Sequence, residues 1–230
     1  MQFFYSDTGE MSMDERALEF QKYFNDENKE QAVSYILRLL HDKTIDIVSL
    51  YELILAPSLN HIMCEHEDER ICIWKEHIKS GIVRTIVECA YPFVMEERKM
   101  RGVKSSITAV ILCPPEEYHD IGARMAADFF TLCGCDAIFV GSNTPYHDFH
   151  HAISMIHPDI IAISVSDYYN LVATKRMIEE IRSVLTKHCQ IIVGGCAFQR
   201  NRQTAIKIGA DDYVESFADI ERIVRSGVTE

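Results

Sequence analysis

Two hydrophobic periodicities divide the chain. From residue 13 to about residue 99, apolar positions recur every three or four residues. Ile47, Leu50, Tyr51, Ile54 and Leu55 fall at i, i+3, i+4, i+7 and i+8, a single stripe along one helix. Residues 31–41 repeat the pattern with Val33, Ile36, Leu39 and Leu40. A longer stretch from residue 71 to about 91 sets Ile71, Trp74, Ile78, Ile82, Thr85 and Cys89 on one side. That phase places Trp74 and Ile78 in the core of the bundle. Short polar connectors at 25–28 and 66–70 separate these pieces, which predicts an antiparallel helical bundle. The charged run 95–104 ends in Arg101-Gly102-Val103-Lys104 and reads as a linker.

From about Ser106 the pattern changes to short apolar runs alternating with amphipathic stretches. Strands are expected at 107–112, 137–140, 160–164, 191–193 and 212–214. Helices are expected at 121–132, 148–156, 171–185, 202–208 and 217–224. Five β-α units of this length make an α/β fold with a doubly wound, five-stranded parallel sheet of flavodoxin-like type. The expected organisation is therefore a helical bundle over 1–100 and an α/β domain over 106–230.

Composition narrows the functional classes. With 47% hydrophobic and 25% charged residues, and only 10 Gly and 6 Pro, long disordered or collagen-like organisation is excluded. The net charge is −12, and residues 1–105 and 106–230 share it equally. Neither half is a basic module, so direct binding of nucleic acid is not expected. No apolar run is long enough for a membrane span, and the first residues lack a signal peptide's basic flank and apolar stretch. Several of the eight cysteines lie inside apolar runs, as in Ile111-Leu112-Cys113, which reads as reduced, buried thiols in a cytoplasmic protein.

Ligands of doubly wound sheets sit at the carboxyl ends of the strands, so the loops there carry the chemistry. The first reads Cys113-Pro-Pro-Glu-Glu-Tyr-His119-Asp-Ile-Gly122 and has no Gly-rich phosphate fingerprint. It offers His119 flanked by Glu117 and Asp120. A histidine with a carboxylate two residues before it can be a metal ligand whose second ring nitrogen that carboxylate holds. It can equally be a histidine hydrogen-bonded in a loop. Gly122 permits close approach where the helix begins. Strand 3 ends in Ser164-Val165-Ser166, offering small hydroxyls, and strand 4 ends in Gly194-Gly195, which leaves space against the backbone.

Taken in order, Glu117-x-His119-x-x-Gly122, Ser164-x-Ser166 and Gly194-Gly195 resemble the motifs of the cobalamin (vitamin B12)-binding fold. The usual form is Asp-x-His-x-x-Gly, Ser-x-Leu and Gly-Gly. The resemblance spans nearly all of 106–225. It implies that His119 is the lower cobalt ligand, with Glu117, Asp120, Gly122, Ser164, Ser166, Gly194 and Gly195 around the cofactor and its displaced nucleotide tail. Glu117 for Asp is similar to what the light-sensing, cobalamin-dependent regulators use.

The helical half extends the resemblance to a cap over the upper corrin face. Glu76-His77 resembles the upper-face pair of those regulators, with His77 a possible upper ligand. His66 stands where they carry tryptophan, and Trp74 is the only tryptophan. The implied function is a cobalamin-binding sensor or regulatory protein, light-responsive through adenosylcobalamin and acting by oligomerisation or a protein partner. Two alternatives remain open. One is a corrinoid methyl carrier, taking methylcobalamin, for a separate methyltransferase. The other is a heme-binding sensor on the same fold. No constellation for self-sufficient catalysis is present.

Overall fold

A computed structural model describes residues 15–62, 69–142 and 146–227. It divides into two compact units, residues 1–93 and 94–230.

The helical unit contains α1 (Glu15–Asn25), α2 (Lys29–His41), a helix begun by α3 (Ile47–Ser49) and ended by α4 (Ala56–Asn60), and most of α5 (Glu69–Arg101). Asn28 caps α2 by accepting from Gln31 N, and Asp46 caps α3 by accepting from Ser49 N. Between α3 and α4 lies a π-helical stretch, Leu50–Leu55, where Ala56 N bonds to Tyr51 O, five residues back. The stripe Ile47, Leu50, Tyr51, Ile54 and Leu55 is buried, and packs in a core with Phe20, Phe24 and Ile36.

Along α5 the buried stripe runs through Ile82, Val83, Ile86, Val87, Ala90 and Val94. This corrects the expected phase. Trp74 is 69% exposed rather than in the core, Ile73 is exposed beside it, and Cys89 is also exposed. Ile82 belongs to both the expected and the observed stripe, and beside it the core takes Val83, Ile86 and Val87. One turn before Val83, the buried position belongs to Lys79, whose Nζ lies 5.3 Å from the centre of the Phe24 ring. The expected linker at 95–104 is also corrected. Helix α5 continues to Arg101 because residues 95–101 are good helix formers and Arg101 pairs with Glu97 one turn back. Gly102, at φ +63°, follows as a left-handed stop.

The α/β unit carries β1 (Thr108–Leu112), β2 (Asp136–Gly141), β3 (Ile160–Ser164), β4 (Gln190–Gly194) and β5 (Asp212–Val214). All pair in parallel in the order β2-β1-β3-β4-β5, the expected doubly wound sheet. Helices α6 (Ile121–Leu132), α7 (Tyr146–Ile156), α8 (Leu171–Val184), α9 (Gln203–Lys207) and α10 (Phe217–Gly227) alternate with the strands. The inner strands are apolar on both faces, as a sheet covered on both sides requires. Because the chain leaves β1 for β2 on one side and returns to β3 on the other, a crevice opens at the carboxyl ends of β1 and β3.

The cysteines follow the expectation in part. Cys113, Cys133, Cys135 and Cys189 are free and buried. Cys196 is free and exposed, and Cys72 is disulfide-bonded, which corrects the uniformly reduced, buried reading.

Candidate functional site

The loop after β1 begins with a tight turn. Glu117 N bonds to Pro114 O, Pro115 supplies the first central residue, and Glu116 sits at φ +64°. This turn directs the Glu117 side chain inward, where it is fully buried. The next residues carry His119 to the carboxyl edge of the sheet at the start of α6.

Glu117 binds two loops at once. Its Oε1 accepts from His119 N at 3.1 Å and from His119 Nδ1 at 2.7 Å. Its Oε2 accepts from Ser166 N at 2.9 Å, Asp167 N at 3.0 Å and Asn170 Nδ2 at 3.1 Å, all on the connection after β3. Burial raises the Glu117 carboxyl, but the bonds from Asp167, Asn170 and His119 outweigh it and hold it below the ordinary glutamate range. It is therefore a buried anion satisfied by N–H donors.

An ionised carboxylate can only accept, so His119 Nδ1 is the donor in this bond, and in the neutral ring that leaves the lone pair on Nε2. The His119 side chain is 61% exposed, and Nε2 makes no hydrogen bond among the described residues. An imidazole with one nitrogen anchored to a buried carboxylate and the other offered outward is the donor arrangement a metal ligand needs. The chemistry of this donor set fits an axial ligand to a metal-centred cofactor. The neighbouring thiol does not compete. Burial pushes Cys113 up to about 12, with Glu117 and Asp120 adding to the shift.

Around this pair the small residues converge. Ser164 is in register with Gly194 across β3 and β4. A Cβ built on Gly122 would lie 4.0 Å from Ser164 Oγ. Asp120 precedes α6, and its Oδ2 accepts from Ser142 Oγ at 3.3 Å. Ser166 contributes its backbone N–H rather than its hydroxyl to Glu117. A Cβ on Gly194 would stand 2.8 Å from Val214 O, and one on Gly195, at φ +105°, only 2.4 Å from Val165 O. The room left by these missing side chains is filled by neighbouring backbone, because adjacent strand ends close tightly there.

In the helical unit, Glu76 and His77 are exposed on α5 with Trp74, and His77 Nδ1 bonds to Ile73 O at 2.8 Å. A Cβ on Gly81 would meet nothing within 4 Å. His66 lies outside the described residues. The bonds of Asp167 and Asn170 to Glu117 are not foreseen from the sequence. Their only local signal is a run of turn-forming polar residues after β3.

The pattern of family matches agrees with this geometry. Residues 107–220 match the B12 binding domain family. The α/β unit of this chain belongs to that family. The chain is also similar to curated proteins. Trimethylamine corrinoid protein 1 of Methanosarcina acetivorans is 29% identical over 133 residues, 57% of this chain and 60% of that protein. The HTH-type transcriptional repressor CarH of Myxococcus xanthus is 24% identical over 147 residues, 64% of this chain and 47% of that protein. The chain thus matches only about three-fifths of the corrinoid relative's length.

Two solved structures share the fold. The Methanosarcina barkeri monomethylamine corrinoid protein superposes with a TM-score of 0.75 at 13% identity, over 91% of this chain and 96% of that one. A chain of the methanol:cobalamin methyltransferase complex MtaBC, also from Methanosarcina barkeri, gives 0.51 at 15% identity, over 94% and 81%. A cobalamin-type cofactor is accordingly the ligand class of the B12-binding domain described here. No helix among the described residues is long and apolar enough to cross a membrane.

Proposed function

We propose that this protein is a corrinoid methyl carrier that works with a separate methyltransferase. The observation that carries the reading is His119, with Nδ1 bound to buried Glu117 and Nε2 offered outward at the sheet's carboxyl edge. When bound, the cofactor supplies a cobalt centre on which a methyl group can be carried. His119 would hold that centre through Nε2. Glu117 fixes the imidazole's tautomer and direction. Ser164 and Gly122 would line the route for the nucleotide tail, with Asp120 and Ser166 at its mouth and the closely packed Gly194-Gly195 bend beside it.

Carriage is preferred to light sensing because two kinds of likeness converge on corrinoid proteins. The trimethylamine corrinoid relative is the more similar in sequence, and the monomethylamine corrinoid protein has the higher TM-score. The repressor match takes in less than half of that protein. The partner is a protein bearing a methyl donor or acceptor site, as the methyltransferase complex among the structural neighbours suggests. Glu76, His77 and Trp74 then form an exposed face of the helical unit, and His77 need not ligate cobalt.

Absorption titrations with methyl-, adenosyl- and hydroxocobalamin test the reading. Carriage expects all three to bind, His119→Ala to weaken binding at least 10-fold, the lower end of the range for lost metal ligation partners, and illumination to leave the assembly state unchanged. Assembly that depends on the adenosyl group and on light, and that His77→Ala abolishes, would instead establish the sensor. Uptake of heme with no cobalamin binding would overturn both.

A further inference from the structure

We infer that the exposed face of α5 is a self-association surface, on which a second copy of this chain packs antiparallel with Trp74 of each copy against Tyr91 of the other. Such an assembly is independent of the carrier reading.

Opposite its buried stripe, α5 carries a second continuous one. Trp74, His77, Gly81, Arg84, Glu88 and Tyr91 follow one another at spacings of three and four. They fall within an arc of about 100° and over a length of about 25 Å. All but Gly81 are exposed, and Ile73 and Pro92 are exposed beside the two ends. The large apolar side chains thus stand at the ends of the stripe, and its middle is polar or small. At Gly81 even a Cβ would meet nothing within 4 Å, so the helix surface is flat there. A tryptophan and a tyrosine turned to water on one helix face, rather than scattered singly, mark a contact surface.

Size and charge select a second copy as the occupant. The antiparallel alignment that sets Trp74 against Tyr91 of the copy also sets Ile73 against Pro92, His77 against Glu88 and Gly81 against Arg84. Two-fold symmetry makes each of these contacts twice. Apolar ends then meet apolar ends, each arginine lies over the flat spot at the other copy's glycine, and no charge directly faces its like. A parallel alignment would set Arg84 against Arg84 and Glu88 against Glu88, which is repulsive. A stripe that complements itself in this way is what an isologous dimer requires. A single helix seam of this length is smaller than a standard interface, so the association is weak, with a dissociation constant of about 10 μM.

Sedimentation velocity of the cofactor-free protein over a range of concentrations tests the assembly. A monomer–dimer equilibrium with a midpoint of about 10 μM is expected. Trp74→Glu should raise the dissociation constant about 10-fold or more, with an unchanged circular dichroism spectrum because the residue is exposed. His77→Glu should also raise it, since it places a second carboxylate against Glu88 of the copy at both ends of the seam. Adding Glu88→Lys to His77→Glu should bring the constant back toward wild type, because opposite charges face each other again only in the antiparallel register.

A chain that stays monomeric at about ten times the expected midpoint overturns the inference and leaves this face to a different protein or to the cofactor. A dimer indifferent to Trp74→Glu, or a double variant that associates no better than His77→Glu alone, overturns it equally. If Trp74→Glu does not fold, the His77 and Glu88 variants decide by the same equilibrium. All of these measurements are made without cobalamin, so failure of the carrier reading and failure of the dimer are read separately.

Discussion

At the scale of single residues, backbone conformation separates two positions that look alike in strain. Glu116 occupies the third position of a turn whose geometry, φ +64°, suits glycine. Its side chain is exposed, so only backbone strain is at stake. Glu116→Gly should relieve that strain, less the extra freedom of the unfolded chain, and stabilise the protein by about 0.5–1 kcal/mol. Denaturant melts monitored by circular dichroism would measure it, and a loss of stability would contradict the turn. Gly195 is the opposite case. Its φ of +105° combines with a backbone oxygen that any Cβ would meet at 2.4 Å. Gly195→Ala should cost on the order of 3 kcal/mol, because strain and overlap add. A substitution that melts within 1 °C of wild type would show that the strand ends can part freely.

At the scale of elements, helix ends are set by side chains that satisfy free backbone groups. Helix α6 stops at Gly134, φ +88°, where Cys135 N reaches back to Phe130 O and Gly134 N to Thr131 O. The motif Cys133-Gly134-Cys135 is thus a helix stop with buried thiols rather than a redox pair. Burial raises Cys133 to about 12 and Cys135 to about 11. Helix α10 starts with a reciprocal box. Asp219 N bonds to Ser216 Oγ at 3.2 Å, and Ser216 N bonds to Asp219 Oδ2 at 3.2 Å. Ser216→Ala should cost about 1 kcal/mol. Burial raises the Asp219 carboxyl, but the Ser216 hydroxyl and the N–H groups of Glu215 and Ser216 outweigh it, leaving it below the ordinary range. The sign follows from the lowered value. The contribution is complete above the unfolded aspartate's pKa of about 3.9 and is lost as pH falls through the folded-state value. Thermal melts of wild type and Asp219→Asn should therefore differ near neutral pH and converge in acid. A constant gap down to about pH 2 would show that the carboxylate charge is not what the box uses.

For the whole molecule, the charge of −12 sets the long-range behaviour. Both halves are acidic overall, so the net field opposes a phosphate backbone. The chain should show no measurable affinity for duplex DNA at physiological salt in a fluorescence anisotropy titration. Tight binding that weakens steeply with added salt would reveal a basic surface hidden in the average.

Much of this was legible in the sequence, since period alone separates helical from strand segments. The apolar runs of β1, β3 and β4 and the stripe of the Ile47 helix are local patterns, and local sterics and burial suffice to realise them. Glu117 and His119 were legible for the same reason, because two residues of spacing are enough to bring their side chains together. The phase of α5 was not. Over 33 residues the sequence admits more than one apolar phase, and only tertiary burial selects the one with Val83 and Val87, leaving Trp74 outside. The remainder of the site was decided by tertiary structure. Ser166, Asp167 and Asn170 meet Glu117 across separations of 49, 50 and 53 residues. The Ser-x-Ser pair and the polar run after β3 mark the segment but not its partner, because a buried charge draws its donors from whatever chain the sheet topology delivers to it.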